Sequence, residues 1–591
     1  MCIVPQPQRV EYFDEEIIFE NEYRFGLPTA EYQPVIKYLT NFVKESSESS
    51  NVISFEINED FAEEEYLLKV DKNIVITSSG AVGAFRATST LKQLVFLKKV
   101  QKQTIHDFPD IPNRGFMLDI SRGKVPTLQT LFEYVELLSD LKYNQFQLYI
   151  DNIVIEYKHY PEYCEDVLTI EELRQLDTYC KERFIDLVPN QNGLGHMENW
   201  LKLPEFKHLG IVPENGPVNT LNPFKEESFE FVKNLYDDIL LGFTSPYIHI
   251  NMDEPFGLGK GETAELCEQI GLENAYVQYL NRVIEYIQSK HHKVPMFWDD
   301  IALRSEEALS KISPDSIAIE WGYEAEWPFY EHCAILKKAN RRFYTCPSTG
   351  TFASITGRFD VMLDNVEAAA RSCITFGGEG FLITEWGDGG HQQFFTMSVV
   401  PLAFAASCAW HYNANNDCKV RKQLAFSKHT KIVQYCEDYA DNFVFGAKGL
   451  GKILHRASNY YLVENKNIWC GTNLNGNVGR LSRGEEPFMD VDTAEMVFAY
   501  MEAVRKQLAR LDSSNRYVQE AICNVDMVVV FSKCVVDAHR AYETNERKAL
   551  LQDLSDIKER FLKLWRDKNK DRGLELSIKT FDNLILRYSH K

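Results

Sequence analysis

From Ile111 onward the chain alternates short apolar runs with longer amphipathic stretches. The runs are GFMLDIS (115–121), QFQLYID (145–151), FIDLVPN (184–190), YIHINMD (247–253), VPMFWDD (294–300), SIAIEWG (316–322), RFYTCPS (342–348) and GFLITEW (380–386). A parallel strand covered on both faces reads as a near-continuous apolar run, whereas the stretches between, such as LQTLFEYVELLSDLK and AYVQYLNRVIEYIQSK, carry their apolar residues at helical spacing. Eight such units in succession predict an α/β fold, a parallel (β/α)8 barrel of the TIM type. The first 110 residues differ, because NVISFEI and EYLLKVDKNIVITSS alternate in short runs around one helical stretch, AFRATSTLKQLVFLKK, and predict a small α/β domain. After about residue 410 the pattern is predominantly helical and ends in ERKALLQDLSDIKERFLKLWRDKNK. The expected organisation is an N-terminal domain over 1–110, a barrel over 111–410 and a helical region over 411–591. That last region is expected to pack on the barrel, and its amphipathic tail could also build a homodimer interface.

Composition narrows the classes. A chain of 591 residues is too long for one core, so several domains are expected. No run of about 18 apolar residues predicts a membrane span. The start, MCIVPQPQRVEYFDEE, has no basic segment followed by an apolar one, which favours a cytoplasmic address. Thirteen cysteines scattered from Cys2 to Cys534 without a C-x-x-C pair predict buried, reduced thiols rather than a disulfide framework or a zinc site. A net charge of −22 argues against nucleic acid and anionic membranes as partners, both of which reward a basic patch, and points to a small or neutral substrate.

Barrels of this type carry their active sites at the C-terminal ends of the strands. Strand one ends in Asp119, Ser121 and Arg122, strand two in Asp151 and Asn152, and strand three leads to Asn190, Asn192 and His196. Strand four supplies Asp253 and Glu254, strand five Trp298, Asp299 and Asp300, strand six Glu320 and Trp321, and strand eight Glu385, Trp386 and Asp388. Indoles are rigid apolar walls, and a pocket that mixes them with carboxylates suits a sugar, whose C–H faces stack while its hydroxyls donate to acids. The same residues could instead merely cap the barrel. No H-x-H or H-E-x-x-H spacing supports a metal site, and GLGKGET breaks the phosphate-loop spacing, so neither a metal nor an organic cofactor is expected.

Asp253 and Glu254 are adjacent, so on a continuing strand they would point to opposite faces; both enter one pocket only if the backbone bends there. Pro255 holds Glu254 to extended geometry. Two carboxylates that flank one glycosidic bond as acid and nucleophile sit on different elements, about 5–9.5 Å apart. An adjacent pair does not meet that requirement, which implies an attacking group other than a protein carboxylate.

The segment NRGFMLDISRGKVPTLQTLFEYVELLSDLKYNQFQLYID, the stretch LVPNQNGLGHMENWL, and the motifs HINMDEP, MFWDD, IEWGYEA and ITEWGDGGH together resemble glycoside hydrolase family 20, the β-N-acetylhexosaminidases. The likeness covers the barrel in order, and YLLKVDKNIVITSSGAVGAFRATSTLKQL looks like that family's N-terminal domain. It implies a cofactor-free, substrate-assisted retaining mechanism on a glycan or glycoconjugate ending in N-acetylhexosamine, with the 2-acetamido oxygen as nucleophile and an oxazolinium intermediate. By resemblance Glu254 is the general acid and then base, Asp253 holds the acetamido N–H, and His196 bonds the catalytic glutamate. Arg122 and Asp388 take ring hydroxyls, and Trp298, Trp321 and Trp386 wall the pocket.

Three positions depart from the family pattern. Asn251 stands where H-x-G-x-D-E has glycine, and QLYIDN lacks the usual paired acids after a histidine-rich run, leaving Asp151 as the partner for His196. The tyrosine that bonds the acetamido oxygen is expected after strand seven, where Phe352 stands; Tyr323 or Tyr344 is then the substitute. The alternatives are a barrel that binds amino sugars with little or no turnover, and a retaining glycosidase that uses Glu320 or Glu385 as nucleophile.

Overall fold

A computed structural model describes residues 3–26, 30–417, 430–458 and 470–590. The N-terminal domain is a seven-stranded sheet built from β1 (Arg9–Ile18), β2 (Glu22–Phe25), β3 (Lys44–Glu45), β4 (Val52–Ile57), β5 (Tyr66–Val70), β6 (Ile74–Ser78) and β7 (Lys99–Asp107), in the order β1-β7-β5-β6-β4-β2-β3. The helix Ala81–Phe96 lies on it and buries Ala84, Phe85, Leu91 and Leu94.

The eight apolar runs become eight strands: β8 (Asn113–Asp119), β9 (Gln145–Ile150), β10 (Asp186–Gln191), β11 (Tyr247–His249), β12 (Val294–Trp298), β13 (Ile317–Trp321), β14 (Arg342–Cys346) and β15 (Gly380–Glu385). They pair in parallel and close on one another, β15 returning to β8, as the (β/α)8 pattern predicts. Period two sorts the side chains. Met296, Trp298, Ile317, Ile319, Tyr344 and Cys346 fill the barrel, while Phe297, Ala318 and Phe343 join the layer under the helices. Tyr344 is thereby core.

The N-terminal sheet docks on the barrel through buried charge. Glu64 Oε1 accepts from Arg86 Nε and Arg114 Nη2 at 2.7 Å each, and Lys142 Nζ lies 2.8 Å from Asp107 Oδ2. The C-terminal helices also pack on the barrel, where Lys570 N donates to Val125 O at 2.8 Å and Asn524 bonds both Phe394 N and Gln392 O. Among the described residues no helix is long and apolar enough to cross a membrane. Ten cysteines among the described residues are free thiols, all but Cys164 buried; Cys2 and Cys418 lie outside the described residues.

Candidate active site

The fourth run was expected to be a strand over 247–253, but β11 stops at His249. Beyond it Asn251, Met252 and Glu254 take φ of +60°, +76° and +43°, left-handed values that residues other than glycine seldom adopt, so Glu254 departs from the extended geometry that Pro255 predicts. This bend brings Asp253 and Glu254 into one pocket. The left-handed φ also accounts for Asn251 at the family's glycine position, since Asn tolerates that region better than most residues. Its amide is used as well: Oδ1 accepts from Trp298 Nε1 at 2.7 Å and Nδ2 donates to Asn190 Oδ1 at 2.8 Å. Opposite the bend stands Gly195, where a Cβ would meet Asp253 O at 2.2 Å. That close approach carries His196 onto the acids.

His196 Nε2 lies 3.3 Å from Asp253 Oδ2 and 3.3 Å from Glu254 Oε2, so one imidazole bridges the pair. Burial opposes its charge, but Asp253 and the bonds to both carboxylates outweigh burial and raise the imidazole well above its ordinary value. Burial likewise pushes Asp253 up, and the charge and bond of His196, with Arg122, win and lower it. Asn192 Nδ2 donates to Asp253 Oδ1 at 3.2 Å, and Glu254 N donates to Asp300 Oδ2 at 3.3 Å, which pins the bend from the far side.

Arg122 forms the opposite wall. Nη1 lies 3.1 Å from Asp119 Oδ2, Nη2 lies 3.2 Å from Asp151 Oδ2, and Nε lies 4.0 Å from Asp388 Oδ1. The guanidinium also sits 5.0 Å from the rings of both Tyr149 and Trp386. The direct partner of Asp151 is therefore Arg122, with the nearby His196 adding a weaker pull on its carboxyl. Asp151 closes β9 beside the β8 loop that carries Arg122, so it backs the arginine from beneath, while His196 is taken by Asp253 and Glu254. Burial, with Asp119 nearby, raises Asp151 to about 7 against the pull of Arg122.

Arg122, His196, Asp253, Glu254, Trp298, Trp321, Tyr323, Trp386 and Asp388 line one cavity of about 170 Å3, together with Phe352. Trp298 and Trp386 stand 6.0 Å apart, and Tyr323 packs 5.3 Å from Trp321 and 5.5 Å from Phe352. Glu385 is 1% exposed and faces Lys124 and His391, and Glu320 accepts from Trp327 Nε1 and His332 Nδ1 at 2.8 Å each, so neither candidate nucleophile opens into this cavity. Asn192 stands among the strand-end residues without a role, whereas Asn251 and Tyr149 are not among the site residues read from the sequence. Of these two only Asn251 left a signal, as the replacement of an expected glycine.

The sequence matches the description "Glycosyl hydrolase family 20, catalytic domain" over residues 112–341 and "Glycosyl hydrolase family 20, domain 2" over residues 1–108. Relatives include a beta-hexosaminidase of Porphyromonas gingivalis, 24% identical over 51% of this chain and 45% of that one. The alpha subunit of beta-hexosaminidase from Bos taurus is 24% identical over 47% of this chain and 57% of its own. The chain thus spans about half the length of these relatives. Among solved structures, a chitobiase of Flavobacterium johnsoniae superposes with a TM-score of 0.58 at 18% identity, covering 95% of this chain and 98% of that one. An exo-β-N-acetylglucosaminidase of Vibrio harveyi, solved with N-acetylglucosamine, gives 0.56 at 21% identity over 69% and 73%. At such identities the likeness is one of fold.

Proposed function

The chain belongs to glycosyl hydrolase family 20, the two domains of which match it in order over more than half its length, and we propose on that basis that it is an exo-acting β-N-acetylhexosaminidase. The observation that carries this reading is the single imidazole bridging Asp253 and Glu254 in a pocket walled by three tryptophans. A cavity of about 170 Å3 suits one terminal ring. The acetamido oxygen of that ring attacks C1 as Glu254 gives its proton to the departing glycosidic oxygen. Asp253, kept ionised by His196, accepts from the acetamido N–H and offsets the charge that spreads over the oxazolinium. Water then adds to C1 as Glu254 takes its proton, and the oxazolinium ring opens with the β configuration retained.

Tyr323 supplies the hydroxyl for the acetamido oxygen in place of Phe352, because its ring stands among Trp321, Trp386 and Phe352 in the same cavity. Arg122 and Asp388 hold ring hydroxyls. The test is turnover of an aryl N-acetyl-β-glucosaminide beside the matching aryl β-glucoside, with Glu254→Gln as control. Cleavage confined to the acetamido sugar and lost in Glu254→Gln is expected. Equal cleavage of both sugars, or near wild-type turnover in the variant, sinks the reading.

A further inference from the structure

A second, larger cavity of about 650 Å3 opens beside the first, sharing Glu254 and Trp321 with it. That volume lies within the range of about 300–1,000 Å3 typical of small-molecule sites. Its walls include Phe256, 55% exposed, and Trp327, whose ring stacks 6.3 Å from Trp321 at an angle of 14°. Its floor is acidic. Asp299 and Asp300 close β12 and Glu320 sits in β13, and all three line the cavity.

Asp299 is 1% exposed, yet no protein donor reaches either of its carboxylate oxygens. Burial disfavours its ionised form, and so do the carboxyls of Glu320 and Asp300, which lie near it. Glu320 is already engaged by Trp327 and His332 at 2.8 Å each. One oxygen of Asp300 is also without a donor. A buried acceptor left unpaired costs stability, so unpaired acceptors of residues that line a cavity are acceptors a ligand can satisfy. The cationic groups here are the exposed Arg304 and the His332 that already serves Glu320, so the floor retains an excess of carboxyls.

We propose that this cavity seats the leaving group and is built for an aglycone bearing a primary ammonium, a β-linked 2-amino-2-deoxy sugar, received by Asp299. An ammonium brings three donors and a positive charge, supplies the donors that Asp299 lacks, and leaves Phe256 and Trp327 free to stack on the sugar ring. A hydroxyl or an N-acetyl group at the same place brings no charge. Glu254 stands at the junction of the two cavities, where the bond to such an aglycone would be protonated.

The inference rests on the hydrolase reading above, and the experiment separates the two. Wild type, Asp299→Asn and Glu320→Gln are compared at pH 7 on N-acetylglucosaminyl-β-1,4-glucosamine, on its N-acetylated counterpart and on an aryl N-acetyl-β-glucosaminide. A preference of at least tenfold in kcat/KM for the amine-bearing disaccharide is expected. Asp299→Asn should bring that ratio near unity with aryl turnover within threefold of wild type, and Glu320→Gln should lower it in the same direction. Equal rates on the two disaccharides in wild type, or a preference that survives in Asp299→Asn, overturns the inference. If the aryl sugar is not cleaved the hydrolase reading fails, and calorimetric titration with glucosamine against N-acetylglucosamine still reads the cavity. Tighter glucosamine binding, weakened at least fivefold in Asp299→Asn, supports the site; no binding, or binding unchanged in the variant, refutes it.

Discussion

Asn251 Oδ1 accepts the indole proton of Trp298 at 2.7 Å, tying the residue that bends the backbone ahead of the two acids to a wall of the pocket those acids enter. The same amide continues inward, from Asn251 to Asn190 and from Asn190 to Gln147, at 2.8 Å each. A ladder of buried amides thus crosses from β9 to β12 and sets the rotamer of Trp298 from beneath.

The first prediction separates the two tasks of Asn251. Asn251→Gly keeps the left-handed backbone but leaves Trp298 Nε1 and Asn190 Oδ1 unpaired, so stability should fall by about 1–3 kcal/mol and kcat/KM on an aryl N-acetyl-β-glucosaminide about tenfold, some 1.4 kcal/mol. Asn251→Ala loses the anchor and adds about 1–2 kcal/mol of backbone strain. Denaturant titration beside steady-state kinetics checks both. Equal stability of the two variants would show that the bend is not strained.

Tyr323 carries the second prediction. If its hydroxyl bonds the acetamido oxygen as charge develops, Tyr323→Phe should lower kcat by about ten- to hundredfold, the worth of about 1.5–3 kcal/mol for a hydrogen bond to a charged group. KM should move less, because the bond strengthens in the transition state. Phe352→Tyr in that background offers a hydroxyl from the neighbouring ring, 5.5 Å away, and partial recovery is expected. An unaltered kcat in Tyr323→Phe removes Tyr323 from the mechanism.

His196 governs pH. Its raised value means that the imidazolium, with its bonds to both acids, is the form present at neutral pH. A group raised on folding contributes stability that is fully present below its unfolded value of about 6.5 and is lost as pH rises through the folded value. Asp253 is lowered, so its share is present above about 3.9 and is lost as pH falls through its folded value. The pair titrates jointly and favours the interval between. Wild type should show an alkaline fall in kcat/KM and in thermal midpoint that His196→Gln flattens at a lower plateau. An alkaline limb of the same position and depth in the variant assigns the limb to another group.

How far the site could be read from sequence depended on whether a feature is local in the chain. The barrel strands were legible because burial on both faces leaves continuous apolar runs, and Glu254, Asp253, Arg122 and the three tryptophans lie at or just beyond their ends. The partner of Asp151 was not, because it follows from the adjacency of β8 and β9 in the closed barrel rather than from spacing. Nor was the cavity beside Glu254, since Asp299 and Glu320 face one another only after β12 and β13 pair. The bend at Asn251 left a trace, a residue that accepts left-handed geometry where glycine was expected. Its hydrogen bond to Trp298 left none.

The last prediction concerns the junction of the N-terminal sheet and the barrel. Glu64 sits between Arg86 and Arg114 with both guanidinium groups within 2.7 Å of one oxygen. Burial alone would raise its carboxyl, but the two arginines outweigh burial and lower it. Its contribution is therefore present above the unfolded value of about 4.3 and lost as pH falls through the lowered value. Glu64→Gln leaves two buried guanidinium groups without a counter-charge, and breaking such a cluster costs about 3–5 kcal/mol. A lower denaturation midpoint is expected with aryl-glycoside turnover per folded molecule unchanged, because Glu64 lies outside the residues lining the catalytic cavity. Double replacement of both arginines by methionine in the Glu64→Gln background should restore much of the loss, since it removes the unpaired charges themselves. Failure of that rescue would mean that the carbonyls of Ile111, Pro112, Lys142 and Phe184, stranded when the arginines are replaced, cost as much as the unpaired charges.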